Sequence, residues 1–237
     1  MFPHWSHGPA QTGYIGCIDS QQRIWYSLRM HFATRIAALA LALCAMLSLT
    51  ACKTASPLFN SRTLDGWVAV NGGEWTIEEG VLIGRNGSNW TTNPEQSGSW
   101  LRTQKEYGDF VLDLEYAINT KGNSGIHFRS ALDKNPSFTG YEMQILDDAG
   151  REPRKSGTGA IYDVVAPFRS MSKPAGEWNR VRIICEGQRI RIRLNGTEIV
   201  DHSDDRSARG FIGLQNHDAH SVIKFRNIRI RELPGDN

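Results

Sequence analysis

The feature that most constrains this chain is a run of apolar–polar alternation broken by a tight-turn dipeptide. Val181, Ile183 and Cys185 alternate with Arg182 and Ile184, and Ile190, Ile192 and Leu194 alternate with Arg189, Arg191 and Arg193. A period of two places successive side chains on opposite faces of a strand, so each run has one buried and one wetted face. Glu186-Gly187 joins the first two runs, and Asn195-Gly196 joins the second to Thr197-Glu198-Ile199-Val200. Asn-Gly suits a two-residue hairpin, because both central positions of a type I′ turn need positive φ. A three-strand meander follows.

The same period recurs elsewhere. Phe110, Leu112, Leu114 and Tyr116 share one parity, and further short strands are expected at 76–77, 81–83, 100–103, 125–129, 141–145, 159–162 and 211–215. In the last segment Ile223 and Phe225 have one parity and Ile228 and Ile230 the other, which a bulge near Arg226-Asn227 reconciles. No long helical period appears. About a dozen short strands turned by 23 glycines predict an all-β fold, a two-sheet antiparallel sandwich or jelly roll.

The N-terminal region reads differently. Arg35 precedes an apolar run over 36–49 that ends in Leu49-Thr50-Ala51-Cys52. The run is short for a bilayer span and has signal-peptide flanks. Small residues before a cysteine resemble the lipobox of bacterial lipoproteins, in which the thiol is acylated and the leader removed. The expected organisation is an upstream extension over 1–29 from a mis-assigned start, a signal peptide over 30–51, a lipidated tether over 52–61, and a β-sandwich domain over 57–237. Acylated Cys52 would hold the domain to a membrane in the cell envelope. Lys53 is not the aspartate that retains enteric-type lipoproteins at the inner membrane, so the outer membrane is the expected address.

From Cys52 onward the chain carries 24 basic and 24 acidic residues, a balance that gives no support to a nucleic-acid surface. Cys185 is the one cysteine left after Cys17, Cys44 and Cys52, so no intrachain disulfide is available to the mature domain. On the apolar parity of its strand it reads as a small core residue.

Polar side chains gather on one face of several strands. Glu142 and Gln144 oppose Tyr141, Met143 and Ile145; His127 and Arg129 oppose Ile126 and Phe128; Gln215 and His217 share a parity. Each alone would be an ordinary solvated sheet residue. Together they would line an outward face with a carboxylate, imidazoles, amides and a guanidinium. Trp90 and Trp100 are candidates to stack on sugar rings, whereas Trp67, Trp75 and Trp178 read as core. His217-Asp218-Ala219-His220 reads as a loop rather than a metal site, and Arg151, Arg154 and Lys155 as a solvated turn.

Ten ordered stretches resemble the 3-keto-disaccharide hydrolase family, which has a concanavalin-like jelly-roll fold. Among them are Leu64-Asp65-Gly66-Trp67, Glu106-Tyr107-Gly108-Asp109-Phe110, Gly122-Asn123-Ser124-Gly125-Ile126, Gly140-Tyr141-Glu142-Met143-Gln144-Ile145-Leu146-Asp147-Asp148, and Gly213-Leu214-Gln215-Asn216-His217. The resemblance spans about residues 57–232. It implies cleavage of glycosides whose sugar already carries a ketone at C3. Such a ketone acidifies the C2 hydrogen, so a base removes it, the C1 substituent leaves, and water adds to the enone. Glu142 or His217 would be the base. Arg129, Gln144 and Gln215 would hold the enolate or sugar hydroxyls, with His127 on the same face, and Asn123, Asp147 and Tyr162 would orient the sugar.

Retaining glycosidases on this fold use two carboxylates about 5–5.5 Å apart. Here Gln144 stands where the next same-face acid would be, and Asp147 would lie about 16 Å from Glu142 along an extended strand. That argues for the keto-sugar route over a two-carboxylate mechanism. No cofactor is expected, a divalent cation on the enolate being the one conceivable addition, and a sugar 3-oxidoreductase is the implied functional partner. The alternatives are a lectin-like module that binds glycan without cleaving it, and a structural envelope protein.

Overall fold

The computed structural model describes residues 54–88 and 90–235, and the expected leader, lipidated Cys52 and upstream extension lie outside them. Among the described residues, thirteen strands and one short helix follow in order: β1 (Ser56–Pro57), β2 (Trp67–Val70), β3 (Glu74–Glu78), β4 (Val81–Arg85), β5 (Trp100–Tyr107), β6 (Phe110–Ile118), β7 (Asn123–Ser130), α1 (Pro136–Thr139), β8 (Tyr141–Leu146), β9 (Asn179–Glu186), β10 (Arg189–Leu194), β11 (Thr197–Ser203), β12 (Gly210–Gln215) and β13 (Ile223–Glu232). They form two antiparallel sheets. One has the order β11-β10-β9-β6-β13-β4-β3, with β1 also on β13; the other has the order β2-β5-β12-β7-β8.

The sandwich core follows from strand parity. Leu112, Leu114, Ile183, Ile192 and Phe225 of the larger sheet pack with Leu101, Ile126, Met143 and Leu214 of the smaller. Burial of each such side chain stabilises the fold by about 1.5–3 kcal/mol. Cys185 is a buried free thiol in this core. The meander has the expected register, Leu194 opposite Val181 and Thr197, and Asn195 and Gly196 adopt φ 53° and 86°. The final strand does carry a bulge, with its register to β6 shifting between Arg226 and Arg229 and Asn227 at φ 55°.

Two expectations need correction. The segment 159–162 is not a ladder strand; Ile161 makes isolated bridges to Met143 and Val165. Its backbone still bonds β8, with Gly159 N–H donating to Gln144 O and Tyr162 N–H to Glu142 O. It thereby covers the free edge of the smaller sheet. Trp178 lies outside any strand, half-buried, with the Arg226 guanidinium 3.9 Å over its ring.

Candidate active site on the smaller sheet

The outward face of β7, β8 and β12 carries a cleft of about 290 Å³ lined by Asn123, Glu142, Gln144, Gln215 and His217, closed at its rim by Trp90, Thr91, Thr92, Ser137, Phe138 and Tyr162. A larger hollow of about 770 Å³ lies over the other sheet. Its acidic side chains are already engaged, Asp113 by Arg182 and Glu115 by Arg226, so it offers no comparable convergence of free polar groups.

Among the described residues Glu142 is the one carboxylate lining the cleft. β8 pairs with β7 so that Glu142 stands opposite His127 and Gln144 opposite Gly125. The carboxyl lies over Gly125, where a Cβ would sit 2.0 Å from its Oε1. Only the missing side chain at Gly125 lets Glu142 reach Gln215 on β12, whose Nε2 donates to Oε1 at 3.0 Å. Burial pushes the Glu142 carboxyl up to about 7, with hydrogen bonding from Ser137 and Gln215 pulling the other way. An ionised Glu142 can only accept, so the Gln215 amide must turn its nitrogen to it. Gln215 Oε1 is left without a partner among the described residues, as is Asn123 Oδ1. Two acceptors beside a carboxylate suit the hydroxyl donors of a sugar.

Aromatic rings fill the neighbouring floor. Trp90 stacks on His127 with centroids 5.2 Å apart and 17° between planes, and Trp100 meets the same imidazole edge-on at 5.6 Å. Trp90 is anchored by Nε1 donating to Ser99 O at 2.8 Å and Asn216 O at 3.1 Å. His127 is consequently buried, and burial lowers it to about 3, so it is a neutral ring. His217 follows β12, half-buried, with Nδ1 2.7 Å from Asp218 Oδ2.

Parity brings Glu142, Gln144, Gln215 and His217 together, and Asn123 and Tyr162 line the same cleft. Four expected members stand elsewhere. His127 lies beneath Trp90 instead of lining the cleft. Arg129 is the extra residue of a bulge in β7: Ser130 pairs with Phe211 and His127 with Gly213, and Arg129 has φ 53°. The bulge breaks the alternation with His127. The buried guanidinium donates instead to Asp109 Oδ1 at 2.8 Å and to the carbonyls of Gly108 and Gly187. Asp147 sits in a turn where its Oδ2 accepts from Lys121 N–H at 2.9 Å, outside the cleft. Trp100 is fully buried and cannot meet a sugar ring in this arrangement.

Thr91, Thr92, Ser137 and Phe138 were not among the sequence candidates. They arrive from the 86–99 loop and from α1, which are joined by Asn135: its Oδ1 caps Ser137 N–H while its Nδ2 donates to Thr91 O and Asn93 O. Asn-Pro ahead of a short turn was the available sequence signal. Among the described residues no group of three His, Cys, Asp or Glu side chains forms a metal cluster. The oxygens that could face a cation in the cleft include those of Glu142 and the unpartnered amide oxygens of Asn123 and Gln215.

Comparison with known proteins agrees with this architecture. A 3-keto-disaccharide hydrolase of Bacteroides thetaiotaomicron is 25% identical over 227 residues, covering 74% of this chain and 77% of that protein. A crystal structure of a candidate glycosyl hydrolase from Parabacteroides distasonis matches with TM-score 0.63 and 28% identity, over 76% of this chain and all of that one. The carbohydrate-binding module CBM66 of Bacillus subtilis shares the fold, with TM-score 0.53 and 22% identity over 70% of this chain and 96% of that one. The sequence model of the 3-keto-alpha-glucoside-1,2-lyase-like domain matches residues 54–231, and the chain belongs to that family.

Proposed function

We propose that the cleft cleaves glycosides bearing a C3 ketone, by elimination across C2–C1 followed by addition of water. The observation that carries this reading is Glu142: a single buried carboxylate raised to about 7, lining one cleft with His217 and with two unpartnered amide oxygens. A carboxyl titrating near neutral pH can give or take a proton during turnover. Among the described residues no second carboxylate lines the cleft, so the elimination route, which needs a base and an acid and no carboxylate nucleophile, suits these residues better than the two-carboxylate mechanism. Gln144, Gln215 and Asn123 would hold the sugar, with Tyr162 and Trp90 at the rim. A carbohydrate-binding module would use the amides, the aromatics and a carboxylate as hydroxyl acceptor, but does not need that carboxyl to be raised toward neutral pH. Incubation with 3-keto-trehalose or a 3-keto-glucoside should release free sugar. Unchanged substrate, with the ordinary glycoside bound and uncleaved, would favour the binding module instead.

The substrate must first be oxidised, so a sugar 3-oxidoreductase would act upstream. We also propose that the domain is carried on an acylated Cys52 at the outer membrane, a reading that rests on the Leu49-Thr50-Ala51-Cys52 motif and on Lys53.

A further inference from the structure

Elimination needs a base for C2 and an acid for the leaving oxygen, and the two proton-transfer groups of the cleft are held differently. The His217 ring is fixed on two sides. Asp218 Oδ2 lies 2.7 Å from its Nδ1, and the Trp90 indole is parallel to it within 8°, centroids 6.5 Å apart. Asp218 is itself anchored, its Oδ1 accepting from the backbone N–H of His220 and of Ser221, each at 2.8 Å. Partial burial alone would raise the Asp218 carboxyl, but hydrogen bonds from His217 and Ser221 hold it below its ordinary value. An ionised carboxylate only accepts, so Nδ1 carries the hydrogen and a neutral ring keeps its lone pair on Nε2. Nε2 has no hydrogen-bond partner among the described residues, and His217 lines the cleft. Glu142, by contrast, is buried and retains its proton to about pH 7.

We propose that Asp218 is a positioning residue that fixes His217 as the base, and that Glu142 is the acid. This assignment rests on the 3-keto-glycoside reading above. His217 Nε2 takes the C2 proton, and the C–H electron pair becomes the enolate of the C3 ketone. The enolate collapses to the enone as the C1–O bond breaks, and the departing oxygen takes the Glu142 proton. Water then adds at C1 while the Glu142 carboxylate accepts its proton, and the imidazolium returns a proton to C2. One water is consumed and one glycosidic bond is broken, with no change in overall oxidation level.

Two measurements test it. Nitrogen-15 NMR of His217 needs no substrate: the wild type should show Nδ1–H with Nε2 bare, and Asp218→Ala should lose that preference. An Nε2–H ring in the wild type, or an unchanged tautomer in Asp218→Ala, would overturn the positioning role. Kinetics then compare 3-keto-glucosides with an alkyl and a nitrophenyl aglycone, with Glu142→Gln read by single-turnover release of the aglycone, which reports the elimination before water adds. A nitrophenolate leaves without a proton. Glu142→Gln should therefore fall about 10²–10⁴-fold on the alkyl substrate and far less on the nitrophenyl one. Asp218→Asn should lose kcat on both, with KM little changed. Equal losses for Glu142→Gln on the two substrates would overturn the acid role, and wild-type kcat in Asp218→Asn would overturn the positioning role. A wild-type protein inert toward both substrates would overturn the reaction itself, while the ring-nitrogen measurement would still decide what Asp218 does to His217.

Discussion

Gln215 Nε2 donates to Glu142 Oε1 at 3.0 Å from a strand that is not the neighbour of β8. β7 lies between them, and the bond exists because Gly125 leaves the space above it empty. A missing side chain thus couples the cleft's carboxylate to an amide two strands away. It also brings that carboxylate over the sheet, where burial raises it.

Glu142 should make stability depend on pH. Its carboxyl titrates near 4.5 when solvated and near about 7 in the fold. Between those values the unfolded chain releases its proton first, so stability falls as pH rises through that window and levels off above it. The effect amounts to about 3 kcal/mol. Glu142→Gln cannot titrate. Urea unfolding of variant and wild type at pH 4.5 and pH 8 should show the variant gaining about that much relative stability at the higher pH, and a flat difference would mean the carboxyl is well solvated.

His127 has the opposite dependence. It titrates near 6.5 when solvated and near about 3 in the fold, so the unfolded chain gains a proton first and stability is lost as pH falls below about 6.5. His127→Phe keeps the contact with Trp90 and removes two buried nitrogens that have no partner. At pH 4 it should retain up to about 3 kcal/mol that the wild type loses, read from the same denaturation series.

Gly125→Ala should displace Glu142 without removing it. The new methyl would lie 2.0 Å from Oε1 and 2.7 Å from Cδ, forcing the carboxyl off Gln215. A stability loss of about 1–3 kcal/mol is expected from the overpacking, with a clear drop in kcat for a folded variant. Wild-type turnover in that variant would show that the Glu142–Gln215 bond is dispensable.

Arg129→Met should damage the fold and spare the cleft. The guanidinium is 1% exposed and pairs with Asp109, 15% exposed at its side chain. Its loss leaves the Gly108 and Gly187 carbonyls without the guanidinium donor and leaves Asp109 without its countercharge, its Oδ1 still accepting from Gly187 N–H, at a cost of about 3–5 kcal/mol. Denaturant midpoints should fall steeply while KM at low temperature holds. A raised KM at unchanged stability would return Arg129 to the sugar site.

Cys52→Ala should give an unprocessed or soluble protein in membrane fractionation, since the proposed anchor is attached through the Cys52 sulfur. A variant still processed and anchored like the wild type would dispose of the lipid anchor.

Much of this architecture is written locally. Alternation at 110–116 and 181–194, and Asn195-Gly196 between two such runs, specify strands and hairpins because the side-chain period and the sign of φ are properties of a few adjacent residues. Parity alone also gathered Glu142, Gln144, Gln215 and His217 in one cleft. It failed at Arg129, where a single bulged residue shifts everything beyond it and no local signal announces the bulge. Asp147 escaped it too, lying past the end of β8 in a turn. Depth was decided by tertiary structure alone. His127 is buried because Trp90 comes down from a loop and Trp100 crosses from β5 over Gly213. Glu142 is raised because the 86–99 loop and α1 close the rim above it. Strand direction and facing are set by neighbours in sequence, but solvation is set by whatever covers the face, and here those groups come from far along the chain.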